Sequence, residues 1–281
     1  MPHFFCYVLL FFIASTHMAN AASKVAPLHI QLVTDFAPQL DDTPQNAATK
    51  LMLDIEKALD GQLSLAFVPA SRLREWKQLH TSPDVCLYRK VKNAAREENA
   101  IFNQYPIMAF PANRLITLNK PHLPKQMSLA DAIGKYRLKV GFTSGRSYGE
   151  EIDNYLSVNS GSFIALAGTT SAARLSRMLF EKKIDAIIEF TAVFFSRHNK
   201  DPRINDAQYI EIKNASNTLF GYIACSKSPQ GKQAIKLFDN VLQQENIQRQ
   251  VISAHINIFD SAEERRLISA LKRAYQVPVK E

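Results

Sequence analysis

The residues that could carry nucleophilic or metal chemistry are scattered along this chain. Nucleophilic catalysis usually needs Ser or Cys near a His and an acid, and zinc favours closely spaced His or Cys ligands. Five histidines follow the N-terminal apolar segment: His29, His80, His122, His198 and His255. They form no close pair and lie in no nucleophile signature. The glycines of GFTSGRSYG are spaced G-x3-G-x3-G, which matches neither a P-loop nor a dinucleotide fingerprint.

Arg96 is a second kind of candidate, because it suits recognition better than catalysis. It lies in the stretch AREENAIFNQYP, six residues before Phe102 and ten before Pro106, ahead of a strand-like segment that the proline interrupts. On these residues alone, a surface arginine paired with Glu97 or Glu98 is the simpler interpretation. These residues alone do not show why an arginine would be needed at that position.

The elements that would position these residues alternate between strands and helices. The segments LHIQLVTDF, LSLAFVP and DVCLYR are predicted strands, and two helices separate them. The first helix has apolar residues at helical spacing and ends at Gly61, and the second covers SRLREWKQL. Such a βαβαβ run predicts parallel strands with right-handed crossovers.

A second alternating series follows the Pro-marked segment NKPHLPKQ. Its strands are YRLKVGFTS, SFIALAG and DAIIEF, and its helices are GEEIDNYL, SAARLSRMLFEKK and TAVFFSRH. The chain then returns through a strand, TLFGYIACSK, and a long amphipathic helix. We therefore predict an α/β protein of two lobes, each a mostly parallel sheet flanked by helices.

The N-terminus has the features of an export signal. A continuous apolar run from Phe4 to Ala14 precedes the small-x-small sequence Ala19-Asn20-Ala21, which predicts a signal peptide over residues 1–21 and a periplasmic product. A retained anchor is the alternative, although it needs about 20 apolar residues. Cys6 lies inside the apolar run, which argues against a lipoprotein.

Charge and cysteine content restrict the class further. The formal net charge of +8 favours anionic partners through long-range attraction, but basic and acidic residues are interspersed and no nucleic-acid-binding motif is present. No nucleic acid, cofactor or metal is therefore expected. Cleavage would leave Cys86 and Cys225 in an oxidising compartment, where one disulfide and two buried free thiols are both open.

In this order, the segments resemble the bacterial extracellular solute-binding proteins of family 3, which are type II periplasmic binding proteins. That family has a strand Asp followed by T-x-x-R-x-x-x-h-x-F-S-x-P, with h apolar. This chain offers Asp84, Arg96, Phe102, Asn103 and, one residue late, Pro106. TDFAP, LKVGFTSGRSYGEEIDNYL, EKKIDAIIEF and LFGYIACSK match further family segments, while CLYRK, RE and PANRLI look like a poorly characterised subgroup without an assigned ligand.

The resemblance implies two lobes joined by two hinge strands, with a ligand held between them. Lobe 1 would comprise residues 22–114 and 218–281, and lobe 2 residues 115–217. Arg96 would grip a ligand carboxylate through paired charge-assisted hydrogen bonds. Phe36 would lie over the ligand, with core packing as the alternative. Ser147, at a predicted helix start, would receive carboxylate oxygens, with a plain N-cap serine as the alternative.

Departures from the family pattern affect the expected ligand. Where amino-acid binders often have small hydroxyl residues, this chain has Tyr88, Arg89 and Val91, which implies a bulkier and more basic pocket. The acid that would grip an ammonium group falls at Phe190, whereas the carboxylate is Glu189, one place early. Because strand side chains alternate faces, Glu189 should point away from the cleft unless a bulge redirects it.

Three arginines near one cleft would repel one another unless an anion or Glu189 compensated them. They are Arg89, Arg96 and Arg146. A carboxylate-bearing solute, with an aromatic one as an option, is therefore a better expectation than a standard α-amino acid. We expect a monomeric, non-enzymatic binding protein that presents a small solute to an ABC importer or a sensory receptor. The alternatives are an exported, dehydratase-like enzyme with Glu189 as its general acid or base, and a ligand-free interaction module.

Overall fold

The computed structural model describes residues 26–34, 44–256, 259 and 261–276. The predicted signal peptide at 1–21 and Phe36 lie outside the described residues. In chain order, the strands are β1 (Leu28–Thr34), β2 (Leu63–Pro69), β3 (Val85–Val91), β4 (Ile101–Phe102), β5 (Met108–Pro111), β6 (Arg114–Leu118), β7 (Gln126–Met127), β8 (Val140–Thr143), β9 (Ile164–Leu166), β10 (Ala186–Glu189), β11 (Ala207–Ile212) and β12 (Thr218–Cys225).

Helices connect most of these strands. In chain order they are α1 (Pro44–Ala58), α2 (Arg72–Thr81), α3 (Ala94–Glu97), α4 (Leu129–Gly134), α5 (Glu150–Val158), α6 (Ser171–Phe180), α7 (Thr191–His198), α8 (Pro229–Leu242), α9 (Glu245–Ser253) and α10 (Ser261–Gln276). No helix in the described ranges is long and apolar enough to cross a membrane.

The first sheet begins with the predicted βαβαβ unit. Its strand order is β2-β1-β3-β12-β4, and β5 pairs with a different part of β12. Strand β1 lies parallel to both β2 and β3, as the alternation of strands and helices predicted. The returning strand β12 runs antiparallel to β3, β4 and β5.

The second sheet has the order β7-β11-β6-β10-β8-β9. Strand β8 is parallel to β9 and β10, but β6 is antiparallel to both β10 and β11. The predicted α/β class with two sheets flanked by helices is confirmed. Both sheets are mixed rather than mostly parallel, because β6 and β12 enter them from the opposite direction.

The chain passes between the two sheets at two places. It leaves the first sheet after β5 and enters the second at β6, only two residues later, and it returns between β11 and β12. The two sheets are therefore joined by two short connections. Relative movement of the sheets would have to be absorbed there.

Alternating side chains of β3 bury both faces of the first sheet. Cys86 and Tyr88 lie in an apolar cluster with residues of α1 and α8, whereas Val85 and Leu87 face a second cluster that includes Leu79 of α2. The hydroxyl of Tyr88 is 2.8 Å from that of Thr49. Since Tyr88 is only 1% exposed, its side chain belongs to the core of this sheet.

A disulfide joins two central strands of the first sheet. Cys86 of β3 lies directly opposite Cys225 of β12, and their sulfurs are 2.00 Å apart. Both residues are fully buried. Of the two states that the sequence left open, the structure contains the bridge.

His255 is buried between α9 and the first sheet in one defined tautomer. Its Nε2 accepts from the Ala109 N–H at 2.9 Å, so Nδ1 carries the proton and donates to the Val251 carbonyl at 2.7 Å. Burial lowers the pKa of His255 below its ordinary value of 6.5, against the effect of the hydrogen bond that Nδ1 donates to the Val251 carbonyl. The folded state thus holds this imidazole neutral.

We expect the His255 imidazole to make folding pH-dependent. Because its folded pKa lies below its unfolded pKa, its contribution is complete above about pH 6.5 and is lost as the pH falls through the folded value, by at most about 1.4 kcal/mol per pH unit. Urea unfolding between pH 7.5 and 5 should show this loss, and His255→Gln should remove it while lowering stability at neutral pH. Exposed His122→Gln is the control. An unchanged pH slope in His255→Gln would contradict the assignment.

Candidate ligand-binding site

A cavity of about 260 Å³ lies between the two sheets. One wall comes from α2, the end of β3, α3 and β5, and the other from the loop after β8, the start of α6, the end of β10 and α7. The charged residues that line it are Arg72, Glu75, Arg89, Lys90, Arg96, Arg146, Glu189 and Arg197. Among the described residues that form the cavity, cations therefore outnumber carboxylates by six to two.

Arg96 is held in place by its own short helix. Asn93 caps α3, and its side-chain oxygen accepts from the Arg96 N–H at 3.0 Å. The guanidinium donates to the Val91 carbonyl at 2.9 Å and, across the cavity, to the Gly145 carbonyl at 3.0 Å. It also lies over the Trp76 ring, 4.8 Å from the centroid. These contacts orient the planar group at the cavity wall.

The charge of Arg96 is not neutralised by an ion pair with any carboxylate in the described part of the chain. Burial lowers its pKa to about 10, and the charges of Asp153 and Glu75 oppose that shift. The group therefore stays cationic at neutral pH. A partly buried guanidinium with N–H donors beyond those given to two carbonyls can accept an anionic partner.

A β-bulge explains why Arg89 reaches the cavity. Tyr222 of β12 pairs with Lys90 of β3, and Ala224 pairs with Leu87. The one residue between these pairs on β12 therefore lies opposite two residues of β3. Arg89 is the residue with positive φ, at 59°, inside this bulge. As a result, the last three residues of β3 all line the cavity instead of alternating between faces.

Glu189 lies at the centre of a cationic cluster on the opposite wall. This last residue of β10 is 4% exposed, is ion-paired with Arg146, and lies 3.9 Å from Arg197 Nη1. The Phe190 N–H donates to the same carboxylate at 2.9 Å. Burial would raise the pKa of Glu189, but the two arginines and these hydrogen bonds hold it below its ordinary value. We call Arg146, Glu189 and Arg197 the arginine–glutamate cluster; its formal charge is +1.

The second carboxylate at the cavity is also paired. Glu75 of α2 is 1% exposed and forms a buried ion pair with Lys90 of β3. Removing one partner of such a pair would leave an uncompensated buried charge. This pair lies within the first wall, so it neutralises a lining lysine without reaching the second wall.

Several contacts join the two walls. Besides the Arg96 to Gly145 hydrogen bond, the Asn93 amide donates to Asp153 of α5 at 3.4 Å. Phe110 of β5 and Phe190 stack with centroids 5.3 Å apart and planes 13° apart. The lobes are thus in contact around the cavity.

Ser147 lines the cavity but donates its hydroxyl to Asp153. The Tyr148 N–H donates to the other oxygen of the same carboxylate at 2.7 Å. Burial raises the pKa of Asp153, although these hydrogen bonds oppose the shift. Helix α5 begins at Glu150, after Gly149, so Ser147 is not its N-cap. Its role toward a ligand remains a prediction.

The structure brings five of the seven predicted site residues to one cavity: Arg89, Arg96, Arg146, Ser147 and Glu189. Tyr88 is a correction, because strand alternation turns its ring into the core beside Thr49. Glu189 is at the cavity even though alternation predicted that it would point away. Phe36 lies outside the described residues.

The sequence interpretation missed several lining residues that helical spacing could have identified. Arg72 and Glu75 are three residues apart in α2, and Val193 and Arg197 are four apart in α7, so each pair shares a helix face. Each helix begins shortly after a strand, α2 after β2 and α7 after β10, and Arg72 and Val193 in their first turns line the cavity. That position favours ligand contact, since ligands bind outside the carboxyl ends of strands in α/β sheets.

No protein-family model and no curated protein matches this chain. Solved structures, by contrast, match most of it. A mutant of ArgBP from T. maritima is similar with a TM-score of 0.62 and 14% identity, over 84% of this chain and 96% of that one. A histidine kinase sensor domain with similarity to periplasmic binding proteins has a TM-score of 0.64 and 11% identity, over 83% and 96%.

A third similar structure is the amino acid ABC transporter substrate-binding protein AbpA from Streptococcus pneumoniae, bound to L-arginine. Its TM-score is 0.58 at 18% identity, and the match covers 90% of this chain and 97% of that one. At such identities these likenesses establish the fold alone. The chain has the two-lobed α/β fold of periplasmic binding proteins, and the resemblance drawn from the sequence is confirmed at that level.

Proposed function

We propose that this protein is an exported solute-binding protein. It captures a small, carboxylate-bearing solute in the cavity between its lobes and presents it to a membrane transporter or a sensory receptor. The observation that carries this proposal is the Arg96 guanidinium, which two main-chain carbonyls and an indole ring orient at the cavity wall without a carboxylate partner among the described residues. A ligand carboxylate would supply that partner.

The rest of the cavity supports an anionic ligand. Its described lining has four more cations than carboxylates, so the potential inside favours negative charge. Low local dielectric strengthens each interaction with a captured carboxylate. The contacts between the lobes around the cavity agree with a ligand that is enclosed when it binds.

Two classes of membrane partner fit the fold. The similar structures include a substrate-binding protein of an amino acid ABC transporter and a histidine kinase sensor domain. We further propose a cleaved signal peptide over 1–21, lobe 1 over 22–114 and 218–281, lobe 2 over 115–217, and a monomer in the periplasm. A permease or receptor gene beside this one would identify the partner class.

Catalysis by the same cavity is a weaker hypothesis. Glu189 is its best general base, but the paired arginines lower the pKa of that carboxyl and so reduce its basicity. In addition, Glu75 is held in a buried pair with Lys90. The Glu189 carboxyl is therefore not poised near neutral pH, as a general base would need to be.

Native mass spectrometry of the protein purified from its own periplasm tests the proposal. We expect one small carboxylate per chain, released and identified after denaturation. The control is the same protein unfolded, dialysed and refolded, which should be empty and should regain the added compound. An empty protein that then binds none of a broad panel of carboxylates, but is stabilised by cations such as polyamines, would contradict the proposal.

A further inference from the structure

We infer that the ligand carries two acidic groups and no ammonium group, so that it is a diacid rather than an amino acid. This inference rests on the proposed function, because it names the ligand class of the same cavity. It goes beyond that function in assigning a second anion-binding position, at Arg197, and in excluding the zwitterions that the cavity would otherwise suit.

The first acidic group has its position at Arg96 on the lobe 1 wall. The second position lies on the opposite wall, in α7. Arg197 lines the cavity with its side chain 28% exposed, and its contact with Glu189 is long, at 3.9 Å. In the described part of the chain the Arg197 guanidinium makes no hydrogen bond. Since a guanidinium has five N–H donors, Arg197 retains most of its capacity to bind an anion.

Glu189 does not cancel this capacity, because its Oε1 is already engaged and its Oε2 lies 3.9 Å from Arg197 Nη1, beyond hydrogen-bond distance. Arg146 pairs with it and the Phe190 N–H donates to it at 2.9 Å. The arginine–glutamate cluster therefore presents a net positive charge to the cavity. An acidic group beside Arg197 would bring that cluster to neutrality and would meet a charge-assisted donor at little cost in rearrangement.

The same cluster disfavours an ammonium group. A bound ammonium needs a carboxylate whose charge is not already compensated, but the two carboxylates among the described lining residues are ion-paired with Lys90 and Arg146. It would also lie beside guanidinium groups of like charge, whose repulsion increases at low dielectric. The two walls thus favour an acid at each end of the ligand and no cation between them.

A matched series of compounds tests this inference by titration calorimetry on the refolded, ligand-free protein. For each chain length from four to six carbons, the series compares the dicarboxylate, the monocarboxylate and the α-amino dicarboxylate, for example glutarate, pentanoate and L-glutamate. At the preferred length we expect the dicarboxylate to bind at least about ten-fold tighter than both others. Phosphonocarboxylates of equal length would reveal whether the second group is a phosphonate rather than a carboxylate.

The variant Arg197→Gln tests the assigned residue. It should reduce the ratio of dicarboxylate to monocarboxylate affinity to about one, while the affinity for the monocarboxylate changes by less than about three-fold. Arg203→Gln is the matched control, because Arg203 lies six residues further on and pairs with Asp201 in solvent. Its ratio should equal that of the wild type.

Three results would overturn the inference. Equal affinity for monocarboxylate and dicarboxylate would remove the second position but leave the proposed function standing. Tightest binding of L-glutamate or another α-amino dicarboxylate of the series would show that an ammonium is accepted, again without affecting the capture of a carboxylate. Absence of binding by every acid in the series, together with an empty native protein, would contradict both the inference and the proposed function.

Discussion

Replacing Arg96 by alanine should weaken carboxylate binding by at least about 100-fold while the protein remains folded. Removing one partner of a desolvated charge pair typically costs about 2–5 kcal/mol, and 100-fold corresponds to nearly 3 kcal/mol. The guanidinium also links the lobes through the Gly145 carbonyl, so part of the loss would come from less complete closure. Calorimetry with the ligand identified by mass spectrometry gives the affinity, and thermal unfolding without ligand checks the fold.

Arg96→Lys separates charge from geometry. Lysine keeps the positive charge but cannot donate two parallel hydrogen bonds, so we expect it to recover only a small part of the affinity. Arg265→Ala, an exposed arginine on α10, controls for the loss of one positive charge from the whole protein. Wild-type affinity in Arg96→Ala would remove Arg96 from the site and with it the main support for the proposed function.

Most of the fold could be predicted because its signals are local. Apolar periodicity identified β2, α2, α6, α8 and other elements close to their observed positions. In the first sheet β12 was predicted without its direction, and in the second sheet strands β6 and β11 were missed, so both sheets were expected to be mostly parallel. These two strands lie beside the passages between the sheets, and their direction follows from long-range pairing rather than from their own residues.

A site residue could be predicted only where the regular geometry of its strand or helix determined its position. Arg96 was found by its spacing to Phe102 and Pro106 in the family resemblance. Tyr88 was misplaced because the bulge begins just after it: residues up to Tyr88 still alternate, whereas those from Arg89 onward do not. Gly221 is a sign of this bulge that is visible in the sequence. Any larger residue there would place a Cβ only 3.2 Å from the Arg89 Cα.

Side-chain pairings within the second wall could not be predicted from the sequence. The engagement of Glu189 by Arg146 and Arg197 joins side chains from three separate segments, and nothing in the spacing of these residues reveals it. The expectation that Glu189 or an anion would compensate the arginines was nevertheless sound. In the structure Glu189 compensates Arg146, and we propose that a ligand engages Arg96 and Arg197.

Loss of the Cys86–Cys225 bridge should destabilise the protein by about 4–5 kcal/mol. The cysteines are 139 residues apart, so the bridge closes a large loop and removes much chain entropy from the unfolded state. The double variant Cys86→Ala, Cys225→Ala tests this by urea unfolding, with and without a reducing agent. Reduction should destabilise the wild type by a similar amount and leave the double variant unchanged.

The bridge should also affect ligand capture, because it ties β3 to β12 only three residues before the bulge at Arg89. With the bridge reduced, we expect weaker binding at temperatures near the lowered unfolding transition and little change well below it, since the hydrogen-bonded ladder still positions the bulge. Equal stability of the oxidised and reduced wild type would contradict the structural role of the bridge. A large loss of affinity at low temperature would instead mean that the covalent link, rather than the strand pairing, holds Arg89 and Lys90 at the cavity.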